Sequence, residues 1–286
     1  MGIYQLTDRT IDPARYPWGY NPTSFDHGPG PTEMDYDPVT DTGYYGLVTS
    51  EDFISGDALA EAIGLSAGTS QQSTTPWMKF YIGPDAACNA FVRRGHAAQA
   101  YVAFIPQKPI RNNAPWDDIY DAGAVFGTGD NGPYNSGENV TQDAQVTVGT
   151  GIFRVRLATC ANANPFGDDR ACEDNIGEGS EWNDLIYRVH TDSPNCDDPN
   201  EGVSDSETTR HGGPQDGDNW ANFTDNDMIT HQDFGDGSYC WGQETSSSST
   251  GRRVARGFRG VGYFNDFSSS FNSTDLGWRP VLEMIQ

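Results

Sequence analysis

Apolar positions change their period along this chain, and the changes divide it. Residues 1–45 show no period. The run YPWGYNPTSFDHGPGPTEMDYDP is interrupted by proline or glycine at every helical turn, which excludes a helix. It predicts an extended arm, and the rings of Tyr16, Trp18, Tyr20 and Phe25 predict that the arm lies against another surface. A helical period first appears in SGDALAEAIG, residues 55–64. Leu59 and Ile63 share a face, Ser55 suits the N-cap, Asp57 the first turn, and Gly64 the stop. SAGTSQQSTT then reads as a polar linker. The sequence therefore divides into an arm (1–45), a short helix with linker (46–75) and a main domain (76–286).

Beyond Pro76 the pattern turns β-like. PWMKFYIG alternates Trp77, Lys79 and Tyr81 with Met78, Phe80 and Ile82, and both faces carry apolar groups. QAYVAFIP is a compact apolar run that predicts a buried strand. APWDDIYDAGAVFG predicts a short helix with Trp116, Ile119 and Tyr120 inward. AQVTVGTGIFRVRLA predicts a hairpin: Val146 and Val148 precede the Gly149-Thr150-Gly151 turn, and Phe153, Val155 and Leu157 follow with period two. Arg154 and Arg156 fall on the other face. GSEWNDLIYRVH predicts an amphipathic helix, capped by Ser180, with Trp182, Leu185, Ile186 and Val189 as its stripe. Residues 191–218 are acidic and rich in turns. GWRPVLEMI closes the chain with apolar groups, so its terminus is expected inside the core. The fold class expected is α+β, with short antiparallel strands, few helices and long loops.

Charge narrows the partners. Lys+Arg number 17 against Asp+Glu 41, a formal net charge of −24, and Lys79 and Lys108 are the only lysines. Nucleic acid and anionic membranes need clustered basic groups, so neither is an expected partner. Most of the acids are aspartate, which suits turns and caps better than helix interiors. Hydrophobic residues are sparse at 35%, but aromatics reach 12%, which points to a loop-rich globular chain with an aromatic core. No basic-then-apolar leader opens the sequence, and no apolar stretch reaches the ~18 residues of a membrane span. The expectation is a chain made in the cytoplasm.

Signatures of enzyme chemistry are missing: there is no phosphate-binding glycine loop, nucleophile elbow or zinc-protease helix. A non-enzyme is expected. The five histidines are scattered, and none of the five cysteines forms a C-x-x-C pair. Cys160 and Cys172 are spaced to bridge a loop, whereas cytoplasmic synthesis favours reduced thiols. Asp216, Asp218, Asp225 and Asp227 are the candidate ligands for one calcium ion, although their spacing matches no standard loop.

The stretch RVARGFRGVGYFNDFSSSFNSTDLGWRPVLEMI is the most informative. Phe258, Arg259, Tyr263, Phe264, Asn265, Phe267, Phe271 and Asn272 give it a paratope-like composition. Aromatic rings supply rigid contact area, and Ser and Asn supply adaptable hydrogen bonds. Aromatic faces beside amides also suit sugars.

With those residues in view, the closing LGWRPVLEMI, preceded by RVARG and the aromatic, Ser- and Asn-rich loop, resembles the end of C-type-lectin-like domains. These are the domains related to formylglycine-generating enzyme and to retroelement-diversified phage adhesins. Five segments in order (GYYGLVTSEDFISGDALAEAIGL, PWMKFYIG, KPIRNNAPWDDIYDAGAVFG, GSEWNDLIYRV and GWRPVLEMI) are similar to tailed-virus virion proteins often called tail fibre or structural proteins. The resemblance spans residues 43–286. It implies a C-type-lectin-like fold, a place in the virion, and recognition of a host-surface glycan or protein by a tail fibre, spike or head fibre. By the same analogy it implies a homotrimer and other virion proteins as partners of the arm. Trp182-Asn183-Asp184 lacks the partner loop of calcium-dependent lectins, and the oxidase's cysteine pair is not recognisable, so neither activity is carried over. The competing expectation is a capsid decoration or connector protein without a receptor-binding role.

Overall fold

The computed structural model describes residues 28–38, 40–89, 99–133, 139–161, 163–166, 179–186, 221, 223, 225–230, 239–247, 249–258, 261 and 264–285. They form an α+β fold dominated by two sheets. The first has seven strands in the order β1 (Asp35–Asp37), β2 (Thr42–Val48), β4 (Trp77–Ile82), β5 (Tyr101–Pro106), β13 (Pro280–Met284), β8 (Gly151–Leu157) and β7 (Gln145–Val148). The second has six, in the order β11 (Phe264–Ser268), β10 (Arg252–Arg256), β9 (Tyr239–Thr245), β12 (Leu276–Trp278), β6 (Arg111–Asn112) and β3 (Thr69–Ser70). Every pairing is antiparallel except β9 with β12.

Apolar groups on both faces of β4 have a direct cause: the sheet lies between two cores. Trp77, Tyr81, Val102 and Phe104 enter the first core, and Met78, Phe80, Ile82, Tyr101, Ala103 and Ile105 enter the second. The β4–β5 register places Phe80 opposite Ala103 and Tyr81 opposite Val102, so each face is apolar across both strands. The six-stranded sheet divides in the same way. Tyr239, Trp241 and Ala255 join the first core, while Cys240, Val254 and Phe264 join the second. A strand buried on both faces reads as a continuous apolar run, which is why QAYVAFIP was legible.

Other elements also match their patterns. Helix α1 (Gly56–Ala62) starts at Ser55, whose hydroxyl accepts from the Ala58 amide at 3.3 Å, and it ends at Ile63-Gly64. Helix α2 (Trp116–Asp121) buries Trp116, Ile119 and Tyr120. In the β7–β8 hairpin Val146 faces Phe153 and Val148 faces Gly151, across a two-residue turn at Gly149-Thr150.

Three features differ from the sequence expectation. First, β2 runs across residue 45, the division drawn between arm and linker, and with β1 it brings Asp35–Asp37 and Thr42–Val48 into the main sheet. Gly43 and Gly46 disguise its alternation. Met34 crowds the first and Pro31 lies over the second. The arm residues Tyr16, Trp18, Tyr20 and Phe25 lie outside the described residues. Second, the supposed linker contains β3, an exposed edge strand paired with β6. Third, the expected amphipathic helix at 179–190 is, over Trp182–Ile186, a π-helical turn with every residue buried. It has no polar face because Glu181, Asn183 and Asp184 each meet an interior partner. Val189 lies outside the described residues.

The closing GWRPVLEMI is buried as expected, but it supplies two strands to two sheets. β12 ends at Trp278 and β13 begins at Pro280, with Arg279 at the crossing. Arg279 is buried and donates to the carbonyls of Pro106 (2.8 Å), Met228 (3.2 Å) and Gln107 (2.5 Å). Burial lowers its pKa, against the pull of the Cys240 thiol.

Candidate functional site: an aromatic rim on the six-stranded sheet

The paratope-like set does not act as one surface, because β11 alternates. Phe264 points into the second core and meets Phe166 edge-on at 5.3 Å. Phe258 is fully buried and stacks on Tyr239 at 4.8 Å. These two are core residues, which corrects their assignment to the contact surface. Arg259 and Tyr263 lie outside the described residues. Asn265 and Phe267 are half-buried, and Phe271 and Asn272 are exposed.

Phe267 organises the rim. Its ring meets Tyr239 edge-on at 4.9 Å and Trp241 at 6.2 Å, and it stacks on Phe271 at 5.8 Å with 9° between planes. Such offset and edge contacts are each worth ~0.5–1.5 kcal/mol beyond burial. Phe271 keeps 45% of its surface open while resting on a fixed base. The Asn265 amide donates to the Tyr239 hydroxyl at 3.4 Å, which sets a polar group beside the rings. The Ser268 and Ser270 hydroxyls stand 3.2 Å apart on the same turn.

The turn is held from three sides. The Phe271 amide donates to Ser268 O (2.8 Å), the Ser269 amide to Gly251 O (2.8 Å), and the Asp117 amide of α2 to Ser269 O (3.1 Å). On β11, Asp266 is nearly buried and accepts from Arg252 at 2.6 Å, through the carboxylate. That hydrogen bond raises the Arg252 pKa. The rim therefore offers a ring face, an amide and hydroxyls on a fixed scaffold. This arrangement can bind by stacking and hydrogen bonding. Sequence reading missed Tyr239 and Trp241 as its base. Their alternation in YCWGQET was the available signal.

Apart from the rim, the interior holds a buried ionic cluster. Glu181 receives both η nitrogens of Arg156, at 2.7 and 2.6 Å, the Tyr101 hydroxyl at 3.0 Å and the Thr159 amide at 3.1 Å. Arg156 Nε donates to Glu283 at 3.1 Å, and Arg154 joins Glu283 at 3.2 Å. Burial opposes the Arg156 charge, but Glu181 and Glu283 hold it protonated. Burial, then Glu181, pushes the Tyr101 hydroxyl up. Asp184 accepts from the Cys88 amide, and Glu244 from the Cys160 amide. Arg256 donates to Cys160 O and Asn183 Oδ1. The π turn is thus pinned by charge to both sheets.

Cys160 is a free, buried thiol, as are Cys88 and Cys240, and Cys172, its candidate partner, lies outside the described residues. Burial raises the pKa of all three, Cys240 to about 11. Thiolates are the reactive form. A thiol reagent mapped by mass spectrometry is therefore expected to modify Cys88, Cys160 and Cys240 only after denaturation. Labelling of any of them in the native protein at neutral pH would contradict this packing.

Among the described residues, no three His, Cys, Asp or Glu side chains gather as metal ligands. Asp225 and Asp227 lie on the short helix α3 (Asp225–Met228), and Asp216 and Asp218 lie outside the described residues. No described helix is long and apolar enough to cross a membrane. Comparison with protein-family models, curated proteins and solved structures finds no match to this chain.

Proposed function

We propose that this chain is a virion protein of a tailed virus that displays a C-type-lectin-like domain for host-surface recognition. The observation that carries the reading is the exposed Phe271 ring, stacked on Phe267 in a turn that also carries Ser268, Ser270 and Asn272. An exposed ring in a turn rich in Ser and Asn suits the apolar face and equatorial hydroxyls of a sugar, so a glycan is the ligand class. The five-segment resemblance and the closing segment shared by both sheets support the lectin-like fold. The arm upstream of residue 28 would attach to other virion proteins, and a homotrimer would present several rims at once.

Purified protein added to host cells before virus is expected to block adsorption. Phe271→Ala is expected to weaken cell binding at least about tenfold, as for an anchoring aromatic at an interface. Its melting temperature is expected to fall only by a few degrees, because the ring is half open to solvent. If the wild-type protein binds no cells, and Phe271→Ala particles assemble poorly, the rim contacts a neighbour in the particle. The chain is then a capsid decoration or connector protein.

A further inference from the structure

Lys79 sits in the middle of β4 and is fully buried. Its Nζ donates to three main-chain carbonyls, Pro31 at 2.8 Å, Pro29 at 3.0 Å and Gly28 at 3.4 Å. A neutral amine has two N–H donors and a lone pair that would face the third carbonyl, whereas an ammonium has three donors. The three acceptors therefore specify the charged form. The Tyr45 ring lies 4.8 Å from Nζ, adding a cation–π contact.

The acceptors belong to one segment, Gly28-Pro-Gly-Pro-Thr-Glu-Met34, which crosses the edge of the first core. A side chain at Gly28 would meet Met284 and Phe104 at 3.1 and 3.2 Å. At Gly30, where φ is +84°, a Cβ would collide with Val48. Pro31 in turn lies 3.4 Å from where a Cβ of Gly46 would stand. The segment thus spans β2, β5 and β13 and is pressed flat against them. Glycine is required at position 30 both by backbone conformation and by clearance.

We propose that residues 28–34 form a strap latched to the seven-stranded sheet by the Lys79 ammonium, so that attachment of the N-terminal segment depends on a single buried charge. With the latch closed, the strap fixes the point at which the preceding chain meets the domain, beside Met284. With the charge removed, three carbonyls lose their donor together, and the strap lifts from Phe104, Val48 and Met284. This inference does not rest on the glycan reading of the rim, which lies on the other sheet.

The chain supplies its own control, since Lys108 is the only other lysine and is partly exposed. The full-length wild type is treated with an amine-acetylating reagent and mapped by mass spectrometry. Lys79 is expected to react at least about a hundredfold more slowly than Lys108. Gly30→Val lifts the strap and keeps the lysine. In that variant Lys79 acetylation is expected to rise at least about tenfold with Lys108 unchanged. In Lys79→Met, cleavage after Glu33 by a glutamate-specific protease is expected to accelerate about tenfold or more, while the buried Glu283 stays uncut. Three results would overturn the latch: equal reactivity of the two lysines in the wild type, an unreactive Lys79 in folded Gly30→Val, or an unchanged strap in folded Lys79→Met. Should Lys79→Met fail to fold, the acetylation ratios decide alone.

Discussion

Glu181→Ala is expected to destabilise the protein by about 3–5 kcal/mol, the usual loss when one member of a buried ion pair is removed. The carboxylate accepts four hydrogen bonds, two from Arg156, one from Tyr101 and one from the Thr159 amide. Alanine leaves the guanidinium with the Glu283 carboxylate and the Leu157 carbonyl, and takes an acceptor from the buried Tyr101 hydroxyl and Thr159 amide. Urea denaturation followed by tryptophan fluorescence measures the loss. Arg154→Ala provides the contrast: its side chain is 27% exposed, and its bond to Glu283 is expected to be worth no more than ~1 kcal/mol. Arg156→Met combined with Glu181→Leu should recover part of the deficit, because an apolar pair carries no desolvation cost. A Glu181→Ala protein as stable as wild type would mean that water reaches this cluster.

Trp116→Ala is expected to cost a similar ~3–5 kcal/mol, in the range for removal of a buried indole, and to lower the melting temperature by on the order of 10 °C. Trp116 stacks on Tyr120 at 5.5 Å, meets Phe126 at 5.9 Å, and lies under the Arg253 guanidinium at 4.3 Å. Its Nε1 donates to Gly242 O, while Trp241 Nε1 donates to Ala114 O, so α2 and β9 are stitched in both directions. The Asp117 amide next to it holds Ser269, inside the turn that carries Phe271. The variant should therefore lose rim binding even at temperatures where it remains folded. Trp116→Phe, which keeps the ring stack and loses the indole donor, should fall between the two. Calorimetry and cell binding on the same samples separate the two effects.

What the sequence revealed follows from how local each signal is. Ser55 and Gly64 bracket α1 within ten residues, and the hairpin alternates on both sides of one turn. The strands β4 and β5 were legible because burial on two faces leaves an unbroken apolar run. The π turn was not, because what buries Glu181 is Arg156, 25 residues away, and what buries Asn183 is Arg256. Polar letters in such a stretch read as a solvated face until their partners are known. Within FNDF either phenylalanine could face inward, and parity is set by pairing of β11 with β10, which opposes Phe264 to Arg256 and Phe267 to Arg253. The role of Lys79 was not legible, since its acceptors lie 48 to 51 residues earlier in the chain.

The placement of β13 has a consequence for synthesis. This strand is the last in chain order, yet it lies between β5 and β8 at the middle of the seven-stranded sheet. A ribosome that has made everything up to Trp278 has produced two half-sheets with open inner edges and no ladder between them. Unpaired edges of that kind are sticky, and closure by such distant pairing is slow. The seven-stranded sheet is therefore completed only when residues 280–284 slot between β5 and β8. A copy lacking residues 280–284 would leave the edges of β5 and β8 open, the kind of surface that proteases and aggregation exploit.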